Sequence, residues 1–138
     1  MTKLPITAFA IAILLSVTGC SMFTTVTIAA RESQIEARQQ VIAEFWLAQG
    51  YRLSVSHEPI RGYNRYSSDP KNRLVRAWEH STNYPTIYEF WRGAEYVVLI
   101  DRGPRLSKPV GDELKKKLEA IDPSLEIVVE DHSYLNPT

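Results

Sequence analysis

Apolar and polar residues alternate through the middle of the chain, a spacing typical of β-strands with one buried face. Two such runs, 86–91 and 95–100, flank a short loop that contains Gly93, which predicts a β-hairpin. Residues 96–100 are apolar on both faces, so we expect this strand at the centre of a sheet. Further strands are predicted at 51–56, 73–80 and 125–130.

Two other stretches have the 3.6-residue spacing of amphipathic helices, residues 33–49 and 107–121. Ser33 and Glu36 fit a capping box, in which both side chains satisfy free amides of the first turn. Gly50 then provides a natural end to the first helix. The residues predicted to be buried are Ile35, Val41, Ile42, Phe45 and Trp46 in the first helix and Val110, Leu114, Leu118 and Ile121 in the second.

The predicted order of elements is α-β-β-β-β-α-β, which indicates an α+β fold. We expect a single domain over residues 33–138, with a mostly antiparallel sheet of about five strands and two helices on one face. The length of the chain suits one domain of this kind and not two.

The beginning of the chain is apolar and uncharged rather than periodic. After Lys3, no charged residue occurs before Arg31. Residues 4–15 have about the length of the apolar core of a signal peptide. They are too short to span a bilayer, which takes roughly 20 residues. Cys20, the only cysteine of the chain, follows this apolar core.

The residues Val17-Thr18-Gly19-Cys20 resemble the lipobox of bacterial lipoproteins. The resemblance implies that residues 1–19 are a cleaved signal peptide and that the Cys20 sulfur carries diacylglycerol. It also implies a further acyl chain on the new N-terminus, so that the protein is held at the membrane by its acyl chains. Residues 20–32 would then be the lipidated N-terminus and a tether.

Ser21, the residue after the lipobox, bears on the location. In Gram-negative lipoproteins, serine at this position is compatible with export to the outer membrane, whereas aspartate commonly retains the protein in the inner membrane. The expected location is therefore the cell envelope, on an outer membrane facing the periplasm if the source is Gram-negative.

Two other interpretations of this segment stay open. Cys20 could be a buried structural thiol, or the uncharged stretch between Lys3 and Arg31 could be an uncleaved anchor, since it is long enough to cross a bilayer. Residues 21–30 are rich in threonine, which disfavours insertion of the second half of this stretch.

The charge of the chain argues against a nucleic-acid partner. The 16 basic and 16 acidic residues balance, and cleavage of residues 1–19 would remove Lys3 and leave a small negative charge. Nucleic-acid-binding domains instead carry a clear basic excess. We therefore expect no nucleic acid among the partners.

The sequence contains no motif of a catalytic or metal site. Each of the three histidines neighbours a carboxylate, in His57-Glu58, Glu79-His80 and Asp131-His132. Adjacent strand residues point to opposite faces, so we expect exposed histidines at strand ends rather than shared sites. No catalytic residue, cofactor or metal is expected. Carboxylates that meet only in the fold stay possible, and a small envelope hydrolase is therefore an alternative function.

The segment 61–76 is rich in arginine and tyrosine, which are enriched at protein interfaces. The planar fork of arginine also binds carboxylates and phosphates. Trp91 is a further contact residue if its face of the hairpin strand is exposed. The candidate partner-binding residues are Arg61, Tyr63, Arg65, Tyr66, Arg73, Arg76 and Trp91. The alternative is a solvated loop with an edge strand kept soluble by arginine.

These observations favour a lipid-anchored envelope protein that binds a partner and does not catalyse a reaction. The expected partner is an envelope protein, a lipid headgroup or a cell-wall group. Two alternatives stay open, namely the small hydrolase and an immunity-type inhibitor of an envelope-acting toxin.

Overall fold

The computed structural model describes residues 22–54, 71–80, 86–103 and 105–133. The elements in chain order are β1 (Met22–Ala29), α1 (Glu32–Ala48), β2 (Arg52–Leu53), β3 (Asn72–Glu79), β4 (Ile87–Arg92), β5 (Glu95–Ile100), α2 (Ser107–Ile121) and β6 (Glu126–Ser133). The strands pair antiparallel in a single sheet of order β2-β3-β4-β5-β1-β6. This confirms the α+β fold, with six strands in the described part of the chain instead of about five.

The additional strand, β1, lies inside the segment 20–32 that was expected to be a tether. It pairs with β5 on one side and β6 on the other, so it is internal to the sheet. Phe23, Val26 and Ile28 are buried. The threonines between them are β-branched and suit a pleated strand. The expectation of a tether is therefore wrong for residues 22–29.

Both faces of the sheet bury apolar side chains. The helices cover one face, which we call the helix face, where Trp46 and Leu114 pack against Val26 and Val98. The other face, which we call the second face, has an apolar cluster drawn from strands only. Its members are Phe23, Ala77, Tyr88, Phe90, Val97 and Leu99. Because β5 contributes to both clusters, its predicted central position is confirmed.

The predicted hairpin is formed by β4 and β5, and the turn contains Gly93 with a φ of 61°. Glycine adopts this left-handed conformation without a steric penalty. Trp91 was a contact candidate only if its face of β4 is exposed, and that condition is not met. Tyr88 and Phe90 are buried on the second face, while Glu89 and Trp91 are buried on the helix face.

The helices lie close to their predicted positions, but the cap of α1 differs. The Arg31 amide donates a hydrogen bond to Gln34 Oε1 at 2.9 Å, so Gln34 closes the first turn and the predicted box of Ser33 and Glu36 is wrong. The predicted stripes are buried except at Val41, which is half-buried, and Ile121, which is exposed.

Gly111 brings α2 close to the sheet. A Cβ atom at this position would lie 3.2 Å from Thr24 Cγ2 and from Val129 Cγ1, and 3.3 Å from Val26 Cγ2. These distances are shorter than ordinary contacts, so the close packing of α2 on β1 and β6 needs a residue without a side chain here.

The two ends of the sheet are defined by the direction of β1. At the end where β1 starts, Thr24 pairs with Ile100 and Met22 with Ser133, and we call this the anchor end. At the other, the hairpin end, Ala29 pairs with Glu95. At about 3.3 Å per residue, the ends of β1 lie roughly 23 Å apart. Neither helix of the described part is long and apolar enough to cross a membrane.

Candidate functional site

A polar groove of about 220 Å³ lies on the second face of the sheet. Its lining comes from β4, β5, β1 and β6, and alternation along each strand places these side chains on the same face. The groove combines apolar, charged, hydroxyl and imidazole side chains. The described lining residues are Thr25, Thr27, Phe90, Arg92, Glu95, Val97, Val128, Glu130 and His132.

His132 is the most constrained polar side chain of the groove. Thr25 Oγ1 and His132 Nε2 form a hydrogen bond of 2.7 Å. The imidazole stacks on Phe23 with ring centroids 5.1 Å apart and an interplanar angle of 21°. Glu130 Oε2 lies 4.0 Å from Nε2. These contacts fix the ring at one edge of the groove.

The expectation of an exposed histidine is therefore wrong for His132, whose side chain is only 11% exposed. The strand β6 continues to Ser133 instead of ending at residue 130, which brings the ring over Phe23. The neighbouring Asp131 is bound elsewhere, since Thr24 Oγ1 donates to Asp131 Oδ1 at 2.7 Å. Asp131 and His132 do not share a site, as alternation predicts.

Opposite charges meet at the hairpin end of the groove. Arg92 and Glu95 are exposed, and they face each other in the register of β4 and β5. A guanidinium group can bind a carboxylate of a partner, whereas a carboxylate can bind an amine or a second guanidinium. This end of the groove is therefore suited to a partner that carries both charges.

The two acids of the groove are far apart. Glu95 is opposite Ala29 on β1, whereas Glu130 is opposite Thr25. An offset of four residues and two strand spacings separates their Cα atoms by about 16 Å. Glu95 and Glu130 therefore belong to different ends of the groove.

The Thr25 hydroxyl is not arranged as a catalytic nucleophile either. In a hydrolase triad, the acid orients one ring nitrogen while the nucleophile contacts the other. Here the hydroxyl and Glu130 both approach Nε2 of His132. Glu130 therefore does not orient the ring from its other nitrogen, and the contacts of His132 with Thr25 and Glu130 position the ring in the groove.

Of the residues predicted from the arginine-rich segment, the structure describes Arg73 and Arg76. Arg61, Tyr63, Arg65 and Tyr66 lie outside the described residues. Arg73 is exposed, and its Nη2 lies 3.1 Å from Glu32 Oε1. A surface ion pair of this kind contributes little to stability, so Arg73 can exchange Glu32 for a partner.

Arg76 and Trp91 are internal, contrary to the prediction that they contact a partner. The bulge in β3 between Leu74 and Arg76 shifts the alternation by one residue and places Arg76 opposite Glu89 on the helix face. Trp91 is 7% exposed and packs edge-on against Tyr96, with ring centroids 5.1 Å apart. Both side chains therefore stabilise the fold.

Sequence reasoning missed Glu89, which is 0% exposed on the helix face. Its carboxylate accepts hydrogen bonds from Arg76 at 2.7 and 3.0 Å, from Trp78 Nε1 at 2.5 Å and from the Tyr96 hydroxyl at 2.6 Å. Burial, together with the adjacent Glu89 charge, raises the pKa of Tyr96 far above its usual value. The phenol therefore stays protonated and donates to Glu89.

The alternation along β4 indicates from the sequence that Glu89 is buried. Glu89 alternates with Ile87 and Trp91, so a charged residue falls on an apolar face, where burial requires partners. Because the partners come from its own sheet and the network lies on the helix face, Glu89 is structural and separate from the groove.

Comparisons with protein-family models, curated proteins and solved structures gave no match. Within the described ranges, no three His, Cys, Asp or Glu side chains are grouped to hold a metal ion. The groove therefore has to be interpreted from its own geometry.

Proposed function

We propose that this chain is a lipid-anchored protein of the bacterial cell envelope, on an outer membrane facing the periplasm, whose domain binds a polar partner without catalysing a reaction. The observation that carries the binding role is the groove of the second face. It is built on four paired strands, with a fixed imidazole at one side and opposite charges at the hairpin end. The lipobox resemblance of residues 17–20 supports the anchor.

The spacing between Cys20 and β1 supports a position of the acyl chains near the anchor end of the sheet. Met22, the first residue of β1, follows Cys20 by two residues. A chain reaches at most about 3.6 Å per residue, so an acylated Cys20 keeps the start of β1 within about 7 Å of its anchoring point. Arg92 and Glu95 belong to the opposite end of the sheet. The charged end of the groove is thus directed away from the anchor.

This placement favours one class of partner over the others. A ligand that binds at the hairpin end would bind at a distance from the membrane that holds Cys20. This distance favours an envelope protein as the partner over the headgroups of that membrane. Arg92 together with Glu95 and Glu130 suits a polypeptide with acidic and basic side chains. An immunity-type inhibitor of an envelope toxin is one form of such a protein.

A photo-crosslinking experiment in the native envelope tests the binding role. A photoreactive residue replaces Thr27 inside the groove, and in a matched control it replaces the exposed Lys117 on α2. We expect a specific crosslinked protein from position 27 only. Adding Arg92→Glu to the Thr27 probe should reduce this product about tenfold or more, because a charge pair with the partner becomes a repulsion.

The melting temperature of the Arg92→Glu variant should stay close to that of the parent, since the side chain is exposed. Equal crosslinking from both positions, or a product that Arg92→Glu leaves undiminished, would contradict binding in the groove.

A further inference from the structure

The connection between β5 and α2, together with the first turn of α2, carries three basic residues around an exposed leucine. Arg105 and Lys108 are exposed, Arg102 is half-buried, and Leu106 is 50% exposed. We call the described residues 101–103 and 105–108 the basic loop. The acidic side chains of this region are Asp101, within the loop, and Asp112, which lies 3.8 Å from Lys108. The basic charges therefore outnumber the acidic ones.

Hydrogen bonds join the two described parts of the basic loop. The buried Ser107 Oγ accepts from the Arg102 amide at 2.9 Å and donates to the Gly103 carbonyl at 2.8 Å. The Ser107 amide also donates to the Gly103 carbonyl, at 3.1 Å. Gly103 has a φ of 82°, a conformation that other residues rarely adopt. These bonds position Ser107, and Leu106 beside it is half exposed.

The basic loop lies at the anchor end of the sheet. Thr24 pairs with Ile100, the last residue of β5, and the basic loop follows this residue directly. Cys20 precedes Met22 by two residues. The N-terminus of α2 begins within the loop at Ser107, and the positive end of its dipole adds to the basic charge there. An exposed apolar residue among basic ones is the pattern of segments that bind a membrane interface.

We propose that the basic loop rests on anionic phospholipid headgroups, with Leu106 at the membrane interface, when Cys20 is acylated. The proposal rests on the lipid anchor of the proposed function and adds a second attachment point to it. Two attachment points fix the orientation of the domain, which a single acylated residue does not. The hairpin end of the groove is then held away from the membrane and open to a partner.

Site-directed spin labelling of the acylated full chain in vesicles tests this inference. Acylation consumes the only native thiol, so Leu106→Cys supplies a single site for a nitroxide. Leu74→Cys is the matched control, since Leu74 is 55% exposed and lies on β3, toward the hairpin end. The vesicles contain phosphatidylethanolamine and phosphatidylglycerol, and collisions with a water-soluble nickel chelate report exposure to water.

We expect the nickel accessibility of the label at position 106 to fall roughly tenfold on vesicles, as for a side chain that leaves water for the interface. The label at position 74 should keep its accessibility. Arg105→Glu with Lys108→Glu should restore the accessibility at position 106, because both charges then repel the anionic lipid. Replacing Lys116 and Lys117, which are exposed elsewhere on α2, with glutamate should not restore the accessibility at position 106.

The outcomes separate this inference from the proposed function. If the acylated protein floats with the vesicles while positions 106 and 74 stay equally accessible, the basic loop does not contact the membrane, although the anchor stands. If the chain carries no acyl group and stays off the vesicles, both proposals are overturned.

Discussion

Arg76 and Glu89 form a two-point ion pair between neighbouring strands beneath α1, with Nε to Oε2 at 2.7 Å and Nη2 to Oε1 at 3.0 Å. Arg76 Nη2 also donates to the Gln39 carbonyl of α1 at 2.6 Å. The pair therefore ties the helix to the sheet as well as β3 to β4. Removing one partner of a buried pair leaves the other charge without compensation.

Glu89→Gln should lower the free energy of unfolding by about 2 to 4 kcal/mol, as measured by urea denaturation, because the largely buried Arg76 charge loses its carboxylate partner. The control Glu95→Gln should change it by less than about 0.5 kcal/mol, since Glu95 is exposed. Combining Glu89→Gln with Arg76→Met should cost less than the two single changes added together. A loss for Glu89→Gln no larger than the control, or strict additivity, would contradict the structural role of the pair.

Substitutions of Gly111 that would stabilise an ordinary helix should not stabilise this protein. A change from glycine to alanine inside a helix usually adds about 1 kcal/mol of stability. Here the new methyl group would meet Thr24, Val26 and Val129 at 3.2 to 3.3 Å, so we expect Gly111→Ala to give no such gain. Gly111→Val should cost about 1 to 3 kcal/mol through overpacking.

Thermal unfolding of these variants, with Glu113→Ala on the exposed side of α2 as the control, measures the effect. A clear rise in melting temperature for Gly111→Ala would show that α2 does not need its close approach to the sheet.

Asp122 should make the stability depend on pH in the acidic range. Hydrogen bonds from the Ser124 hydroxyl and amide, followed by Arg38, hold the pKa of Asp122 below its usual value. A group with a lowered pKa in the folded state stabilises the fold above its unfolded pKa, about 3.9, and loses this contribution as pH falls through the folded pKa.

The stability difference between the wild type and Asp122→Asn should therefore be largest at neutral pH. It should shrink toward zero as the pH falls below about 4. Urea denaturation at several pH values measures this difference, and Lys117→Gln, a change at an exposed position of α2, is the control. A difference that stays constant down to pH 2 would refute the role of the charged carboxylate.

Local patterns in the sequence predicted the elements whose structure depends on near neighbours. The hairpin of β4 and β5 follows from two β-rich runs around Gly93, and α2 follows from its apolar stripe. The cap of α1 was placed wrongly because Gln34 and Glu36 can both close a first turn, and only the position of Arg31 decides between them. The strand β1 was not predicted because its β-branched run follows residues 17–20, whose resemblance to a lipobox implies a tether after Cys20.

The candidate site was not predictable in the same way. The hydrogen bond between Thr25 and His132 joins residues 107 positions apart, so it depends on the pairing of β1 with β6. The internal position of Arg76 depends on a bulge that shifts the alternation of β3. Both follow from long-range register, which periodicity along one strand does not specify.

The anchor is the claim on which the location and orientation of the domain depend, and metabolic labelling with a clickable fatty acid tests it most directly. The wild type and the control Ser16→Ala, both of which keep Cys20, should be labelled and should sediment with membranes. Cys20→Ala should be unlabelled and should lose the membrane fixation that the acyl chains give. Labelling that persists in Cys20→Ala, or a wild type without label, would contradict the lipid anchor.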